Sequence, residues 1–538
     1  MSASTGSSTT DVEVGAENEV PQLSALFLIR FDKKVGYTIA WKRSAVDVIL
    51  DGAVEFKSLP SGLHDIQSDL VYFVHEGYAG LSAFAKGEAS AEERNANFVS
   101  VGILVSRAYG RLGRSWLLAA RLRKLATALA DDVSATTPLE EFWDEQSRPK
   151  GKEAKEGDAM KKGHSRARAL STITAVVPSD QRLPPFHPAL SMLKYVEVFG
   201  PLVFRLQQAA LLRKRILFVG SAPVRVCCEF VYNLSVLSSI PPHAAELLSP
   251  GTEGLLRLPA LFSIGVHDIP ELERLQNPKA NGAHTNGDEI SPQGWVACTT
   301  DEIITTKKQL YDIVVEMPPT YDTPPLKRVW PTMKTADGAQ IKASQRDLKK
   351  YKMLHWELWK HRHDAQANED DDSDRAALLS REEENEDDVL NETFDDSIVE
   401  PITWSRLAYN GFMWWASAGE QHAYTSDERD RDRDLLGDLS DYHEGLPTAV
   451  IAYFHRSTTL LVNTVNGLIE RSDEDDGDED GEDGVLVVDK DDISRMGLDT
   501  WSEADKAFLS EFVWLGWGRG VDVRGAGLRC CGVTIPVF

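Results

Sequence analysis

The side chains that could do chemistry in this chain stand at spacings that do not support it. There are five cysteines: Cys227 and Cys228 are adjacent, Cys530 and Cys531 are adjacent, and Cys298 is alone. Neighbouring cysteines rarely bridge each other, and no C-x-x-C spacing offers a zinc or redox centre. Buried free thiols are the default reading, and Cys530 and Cys531, near a polar-flanked C-terminus, are the pair open to S-palmitoylation. His355, His361 and His363 lie beside Trp356 and Trp359, but without a cysteine or carboxylate at ligand spacing they read as a solvated helix face. Asp476-Gly477-Asp478-Glu479-Asp480-Gly481 matches the start of an EF-hand loop. Its eighth position is Asp483 and its twelfth is Val487, where an apolar residue and a bidentate Glu are required. The phosphate loop G-x-x-x-x-G-K-[ST], the dinucleotide G-x-G-x-x-G, the elbow G-x-S-x-G and the H-E-x-x-H helix are missing. The sequence therefore argues against an NTPase, dehydrogenase, hydrolase or metalloprotease, and no cofactor or metal is expected.

At 538 residues, 42% of them hydrophobic, the chain has material for two or three domains. Its formal charge of −26 is concentrated in two segments. Glu369 to Asp396 holds 14 acids against Arg375 and Arg381, and Asp473 to Gly484 holds 9 acids and no base. What remains is nearly neutral, so a nucleic-acid partner has little electrostatic support. Acidic runs of this kind cannot bury enough apolar surface to offset chain entropy, and both are expected to be disordered inserts. Arg429 to Asp434 alternates in sign and reads as self-neutralising surface charge. Arg148 to Arg168, with 8 bases and 3 acids, reads as a basic linker. The Ser/Thr-rich, then acidic start from Met1 to Glu19 lacks the basic and apolar regions of a secretory signal. No apolar run reaches the roughly 18 residues of a spanning helix, so a cytoplasmic protein, at most peripheral on an organelle membrane, is expected.

Strands are predicted at Ser24 to Phe31 and Tyr37 to Lys42, around the hairpin connection Lys33-Lys34-Val35-Gly36. Further strands are predicted at Asp69 to Val74, Tyr78 to Phe84 and Phe98 to Val105. Leu117, Leu118, Arg121, Leu122, Leu125 and Leu129 then mark an amphipathic helix. A second block opens with Pro188 to Leu212, where Leu190, Leu193, Val196, Phe199 and Leu206 suit a buried helix broken near Gly200-Pro201. Next come a strand at Arg215 to Val219 and a helix from Val224 to about Ser238. Strands at Leu261 to Val266 and Trp295 to Thr299 follow, with Thr305 to Val314 as helix or edge strand. Helices are predicted at Trp404 to Ala418, Ala449 to Ile469 and Ser502 to Trp514, the last with Ser502 as N-cap.

Several strings add a resemblance. Phe56-Lys57-Ser58, continued by Ser61 through Phe73, is similar to the N-terminal lobe of the LCHN-type branch of the DENN-domain family, as is Ser100-Val101-Gly102-Ile103-Leu104. Leu212 to Phe218, Phe262-Ser263-Ile264-Gly265-Val266-His267, Val296 to Thr300 with Lys307 to Ile313, and Met496-Gly497-Leu498-Asp499 with Phe508-Leu509 resemble later segments in order. The implied fold class is α/β: a longin-like N-terminal lobe, a second α/β DENN lobe, a helical C-terminal part and disordered acidic inserts. The implied division is a tail over 1–21, an N-terminal lobe over 22–131, a basic linker over 148–182 and a central lobe over 183–316. A mostly disordered acidic region over 317–403, a helical part over 404–525 with the insert 473–484, and a tail over 526–538 complete it.

The resemblance implies guanine-nucleotide exchange on a Rab-type small GTPase in vesicle trafficking, by preferential binding of the nucleotide-free GTPase and without covalent chemistry. A non-catalytic GTPase- or membrane-binding adaptor of the late secretory or endosomal pathway is the alternative. No catalytic residue carries over. Asp65, Gln67 and Asp69, polar residues of the first string, and His267, ending a strand, are the partner-contact candidates. Loop capping and fold-defining hydrogen bonds are the competing roles for each.

Overall fold

A computed structural model describes residues 20–32, 34–62, 66–87, 98–132, 135–147, 183–276, 294–321, 329–366, 397–402, 406–407, 426–437, 445–475, 485–523, 527–530 and 533–536. Five strands form the N-terminal lobe: β1 (Leu23–Asp32), β2 (Gly36–Ser44), β3 (Ser68–His75), β4 (Tyr78–Lys86) and β5 (Phe98–Ser106). All are antiparallel to their lobe neighbours, in the order β3-β4-β5-β1-β2. The β1–β2 hairpin turn closes on Asp32, whose carboxylate accepts the backbone N–H groups of Lys34 and Val35 at 2.8 and 3.1 Å. Two glycines let aromatic rings lie flat across this sheet. Gly80 and Gly102 pair with Phe73 and Phe27, and a Cβ on either would fall inside the opposing ring.

The second lobe contributes β6 (Ile216–Val219), β7 (Ala260–Ser263), β8 (Val296–Thr299) and β9 (Ile313–Glu316). They pair in parallel as β7-β8-β6-β9, buried on both faces, so their sequences read as short apolar runs without alternation. Antiparallel β10 (Thr332–Thr335) and β11 (Gln340–Ile341) extend the far edge. The lobes then fuse. β7 pairs antiparallel with β3 at Phe73 and Phe262, giving one sheet of 11 strands ordered β11-β10-β9-β6-β8-β7-β3-β4-β5-β1-β2.

The helix Arg225–Leu237 lies on one face across this junction, against β3, β7 and β8. Beside it pack Met192–Phe199 and Leu202–Leu211, separated at Gly200-Pro201 as the sequence predicts. Leu190, expected in the buried stripe, is 48% exposed instead, because it falls in a short 3-10 turn (Pro188–Ser191) whose periodicity differs from the helix after it. Thr305 to Val314 is neither a single helix nor one edge strand. It divides into the end of a helical turn (Glu302–Thr305), a 3-10 turn (Lys308–Leu310) and the start of β9.

Within 317–403 the described residues are ordered, in contrast to the expected disorder: β10, β11 and the helix Gln345–Gln366. Tyr351, Leu354 and Leu358 line that helix at helical spacing and enter the core, and His355 lies with its ring 5.6 Å from Tyr351. The other long helices are Leu446–Asp475, which takes in the first three residues of the acidic insert, and Glu503–Trp517, capped by Ser502 accepting the N–H of Asp505. Cys227, Cys228 and Cys298 are buried free thiols, with the sulfurs of Cys228 and Cys298 3.6 Å apart. The side chains of Cys530 and Cys531 lie outside the described residues, as do most of Trp404 to Ala418 and the EF-hand-like loop.

Charge as well as apolar area joins the C-terminal part to the second lobe, where Leu211, Ile240 and Leu248 share a buried core with Leu461, Val465, Phe508 and Phe512. Arg205, buried on Leu202–Leu211, donates to Asp505 at 2.7 Å, Gln208 at 2.9 Å, Ser502 at 2.9 Å, Glu400 at 3.2 Å and the carbonyl of Lys342 at 3.0 Å. Asp347 lies 3.4 Å from the same guanidinium and 3.3 Å from Lys350. Burial pushes the Glu400 carboxyl up to about 7, although Arg205 opposes this. A parallel set centres on Arg346, which meets Asp432 at 3.0 Å and Glu428 at 3.3 Å. Asp432 is thus a buried ion-pair partner, correcting its reading as surface charge: long-range pairing with Arg346 sets its burial, and charge alternation within 429–434 carries no sign of it.

Removing one member of such a set strands the others without solvent. Arg205→Met is expected to cost about 3–5 kcal/mol, read as a lower urea midpoint on tryptophan fluorescence; a loss under about 1 kcal/mol would contradict the role given to Arg205.

Candidate partner interface at the lobe junction

On the face opposite the helix Arg225–Leu237, the string that carries the N-terminal resemblance leaves β2, makes the short helix Val54–Ser58 and returns as β3. Phe27, Phe73, Phe84, Phe98 and Leu104 lie beneath it, and Leu50, Val54 and Leu59 fill the layer between. The corresponding layer of the second lobe is made by Ile264, Leu272, Ile304 and Leu310 over Leu217, Ala297 and Val314. The two layers meet along a seam.

Four contacts define the seam. The Phe56 ring stacks on the imidazole of His267, with centroids 3.7 Å apart and planes 18° from parallel. Lys57 bridges the lobes, its ammonium 2.7 Å from Asp268 and 2.8 Å from the carbonyl of Val74. Both side chains of that ion pair are largely excluded from water, so the pair is stronger than a surface one and costly to break singly. Asp268 is held in place because its carboxylate also accepts the Gly265 N–H at 2.9 Å, while its own N–H donates to the Gly265 carbonyl at 3.0 Å. Ser61 donates to Asp301, whose other oxygen accepts the Val266 N–H at 3.2 Å.

Asp69 supplies the fourth contact. Its carboxylate, on β3, accepts the N–H groups of Val224 at 2.6 Å and Arg225 at 3.3 Å, and that of Leu70 at 2.8 Å. The first turn of Arg225–Leu237 has no cap from its own preceding residue, so an acid 155 positions away satisfies the orphan donors. An anion is also favoured there by the helix dipole. Burial nevertheless dominates and pushes the Asp69 carboxyl up to about 6.

The sequence-nominated residues divide accordingly. Asp65 lies outside the described residues. Gln67 is exposed, and its backbone carbonyl accepts the N–H of Lys86 at 2.9 Å. Asp69 is buried and employed in capping, and His267 is exposed, with one face of its ring stacked on Phe56. Sequence reasoning passed over Phe56, Lys57, Asp268 and Asp301, although Phe56 and Lys57 open the quoted string and Asp268 adjoins His267, because it sought isolated polar groups and not pairs closed across the fold. It also passed over Ile303, 61% exposed beside Asp301, and Ile49, 68% exposed. Ile49 is fixed by its carbonyl at 2.6 Å from the His75 ring and by its N–H donating to Glu76 at 3.3 Å. Among the described residues no three metal-ligating side chains converge, and no helix is long and apolar enough to cross a membrane. What the seam offers a partner is shape, exposed apolar side chains and hydrogen-bonding edges.

The sequence signature of the DENN domain-containing protein 11 family spans residues 26–327, from within β1 past β9, and takes in every residue of the seam. The chain belongs to that family. A second signature, a domain of unknown function, covers residues 399–485 and 476–536. DENN domain-containing protein 11 of Danio rerio is 32% identical over 314 residues, 58% of this chain and 57% of its own. The Xenopus laevis protein of that name is 31% identical over 303 residues, 55% of this chain and 60% of its own. The chain thus spans little more than half the length of these relatives. An uncharacterized protein, ANR2, of Saccharomyces cerevisiae is 23% identical over 560 residues, 95% of this chain and 94% of its own.

The raised Asp69 pKa has a definite sign. Because the folded carboxyl holds its proton more tightly than the unfolded one, its contribution is full below about pH 3.8 and is lost as pH rises through about 6. The stability of the wild type relative to Asp69→Asn is expected to fall by about 2–3 kcal/mol between pH 4 and pH 7, since each tenfold difference in proton affinity between the folded and unfolded chain is worth about 1.4 kcal/mol. A pH-independent difference in urea unfolding would contradict the burial assigned to this group.

Proposed function

We propose that this chain is a guanine-nucleotide exchange factor for a Rab-type small GTPase, working at the cytoplasmic face of an organelle in membrane traffic. The observation that carries the reading is that the family signature takes in both lobes and the seam between them. Exposed side chains stand near the seam residues in both lobes: Gln67 two residues before Asp69, Ile49 bonded through its carbonyl to His75 next to Val74, and Ile303 two residues after Asp301. Asp65 belongs to the same string and joins the contact set, with His267 as the stacked support of Phe56.

Exchange of this kind needs no bond-making residue. A protein that binds the nucleotide-free GTPase more tightly than the nucleotide-bound form lowers nucleotide affinity by the same factor, since the two binding equilibria are linked. A roughly thousandfold faster GDP release requires about 4 kcal/mol of preferential stabilisation of the release transition state. A rigid two-lobe surface suits this, because a seam that yielded would spend interaction energy on its own rearrangement and leave less for the GTPase.

The test is GDP release from a panel of purified Rab-type GTPases, with the full chain as catalyst. At least one member is expected to release GDP faster, and Ile49→Glu combined with Ile303→Glu is expected to weaken that effect at least about tenfold with an unchanged melting temperature. Binding without acceleration or preference for the nucleotide-free state would establish the adaptor reading instead, and failure of every member to bind in any state would overturn both.

A further inference from the structure

The far end of the helix Arg225–Leu237 gathers cations. Arg111, in the loop after β5, donates from Nε to the Ser235 hydroxyl at 2.7 Å, and from Nη2 to the Ser235 carbonyl at 2.9 Å and the Ser239 hydroxyl at 2.7 Å. Arg213, after Leu202–Leu211, reaches the same helix end and meets the Ser238 carbonyl from both terminal nitrogens, at 3.3 and 3.2 Å. Its remaining acceptors, the carbonyls of Ala210 and Leu255, are also neutral. Arg107 and Arg257 stand close enough for their charges to act on Arg111.

These four arginines are placed unlike the buried Arg205 and Arg346. Arg205 and Arg346 each meet two or more carboxylates, whereas no described carboxylate forms an ion pair with Arg107, Arg111, Arg213 or Arg257. A helix C-terminus supplies only about half a negative charge. Burial and mutual repulsion depress the Arg111 and Arg213 guanidiniums to about 10 and about 9, and burial alone lowers those of Arg107 and Arg257. His455, whose ring lies 3.0 Å from the Val236 carbonyl, is lowered by its own burial and by the charge of Arg111. Donors are left over as well. The buried Nε of Arg213 has no partner, and no hydrogen bond occupies Nη1 of Arg111 or the guanidinium groups of Arg107 and Arg257 among the described residues.

We propose that Arg107, Arg111 and Arg257 form a binding site for a phosphorylated polyanion of the inositol phosphate class, either free or as a lipid headgroup. Several unpaired guanidiniums at one place call for a ligand of more than one negative charge, and a phosphomonoester matches the planar two-donor edge each presents. Arg111, braced on the serine hydroxyls and a carbonyl of the helix end, forms the fixed floor, with the buried Arg213 adding positive charge behind it. Arg107 and Arg257, half-exposed and unbonded, are the arms that close on the ligand. The site lies one helix length, roughly 20 Å, from the end capped by Asp69, so a GTPase at the seam and an anion here would engage opposite ends of one element.

The test uses the full chain and two probes: inositol hexakisphosphate in solution, followed by calorimetry, and phosphatidylcholine vesicles doped with a phosphatidylinositol phosphate, followed by co-flotation. The matched control vesicles carry phosphatidylserine at equal total charge. Wild type is expected to bind at least one phosphorylated probe, and Arg107→Gln with Arg257→Gln to weaken it at least about tenfold. Binding in solution alone identifies a soluble ligand, and binding to the phosphoinositide vesicles identifies a membrane one. Because the substitutions remove unpaired charge, the ligand-free double variant is expected to melt no lower than wild type. The proposal is overturned if neither probe binds, if the double variant binds as wild type does, if phosphatidylserine vesicles bind equally well, or if the variant melts well below wild type.

Discussion

Strands β3 and β7 share a single residue pair, so backbone hydrogen bonding by itself holds the lobes weakly. At that pair Phe262 has a φ of +62°, a left-handed conformation that bulky residues avoid at a cost of about 1–2 kcal/mol, and the register of β7 against β8 shifts there. The strain is sustained because the surroundings determine it from several sides. Gly80 leaves room for the Phe73 ring, Asp69 ties β3 to the helix that crosses the junction, and Lys57 and Asp268 close the opposite face. These ties hold the two lobes together along the seam.

The C-terminal part is bound on different terms. Arg205 and Arg346 draw acids from segments far apart in sequence into buried, hydrogen-bonded sets. Such sets add little net stability over an apolar contact of equal size but penalise any arrangement that leaves a member unpaired, which favours one docking geometry. Along Leu202–Leu211 the second lobe is braced both by the charges around Arg205 and by apolar packing such as Phe204 on Phe454.

Much of this architecture was legible in the sequence, for physical reasons. The N-terminal strands are found within two residues of expectation, because long apolar runs in β1, β3, β4 and β5 are bounded by turn residues such as Asp32 and Gly77. Gly200-Pro201 marked the helix break and Ser502 the last N-cap through purely local effects. Of Gln345–Gln366 only a solvated helix face at His355, His361 and His363 was legible, because lysines and histidines interleave with the buried Tyr351, Leu354 and Leu358, and β10 and β11 were hidden because a Pro-rich approach masks short edge strands. The roles of Asp69, Asp432 and Asp268 depend on partners tens to hundreds of residues away. Only assembly of the fold could assign them.

Exchange as proposed requires a partner to meet both lobes at once across a seam that does not open. Amide hydrogen exchange of the full chain, with and without the nucleotide-free GTPase that responds in the release assay, tests this most directly. New protection is expected on both sides together, around residues 49–62 and 66–68 of the first lobe and 265–268 and 301–305 of the second, with exchange at Leu70, Val224 and Arg225 unchanged. Protection on one lobe alone, or faster exchange at Val224 and Arg225 as the seam opens, would contradict it.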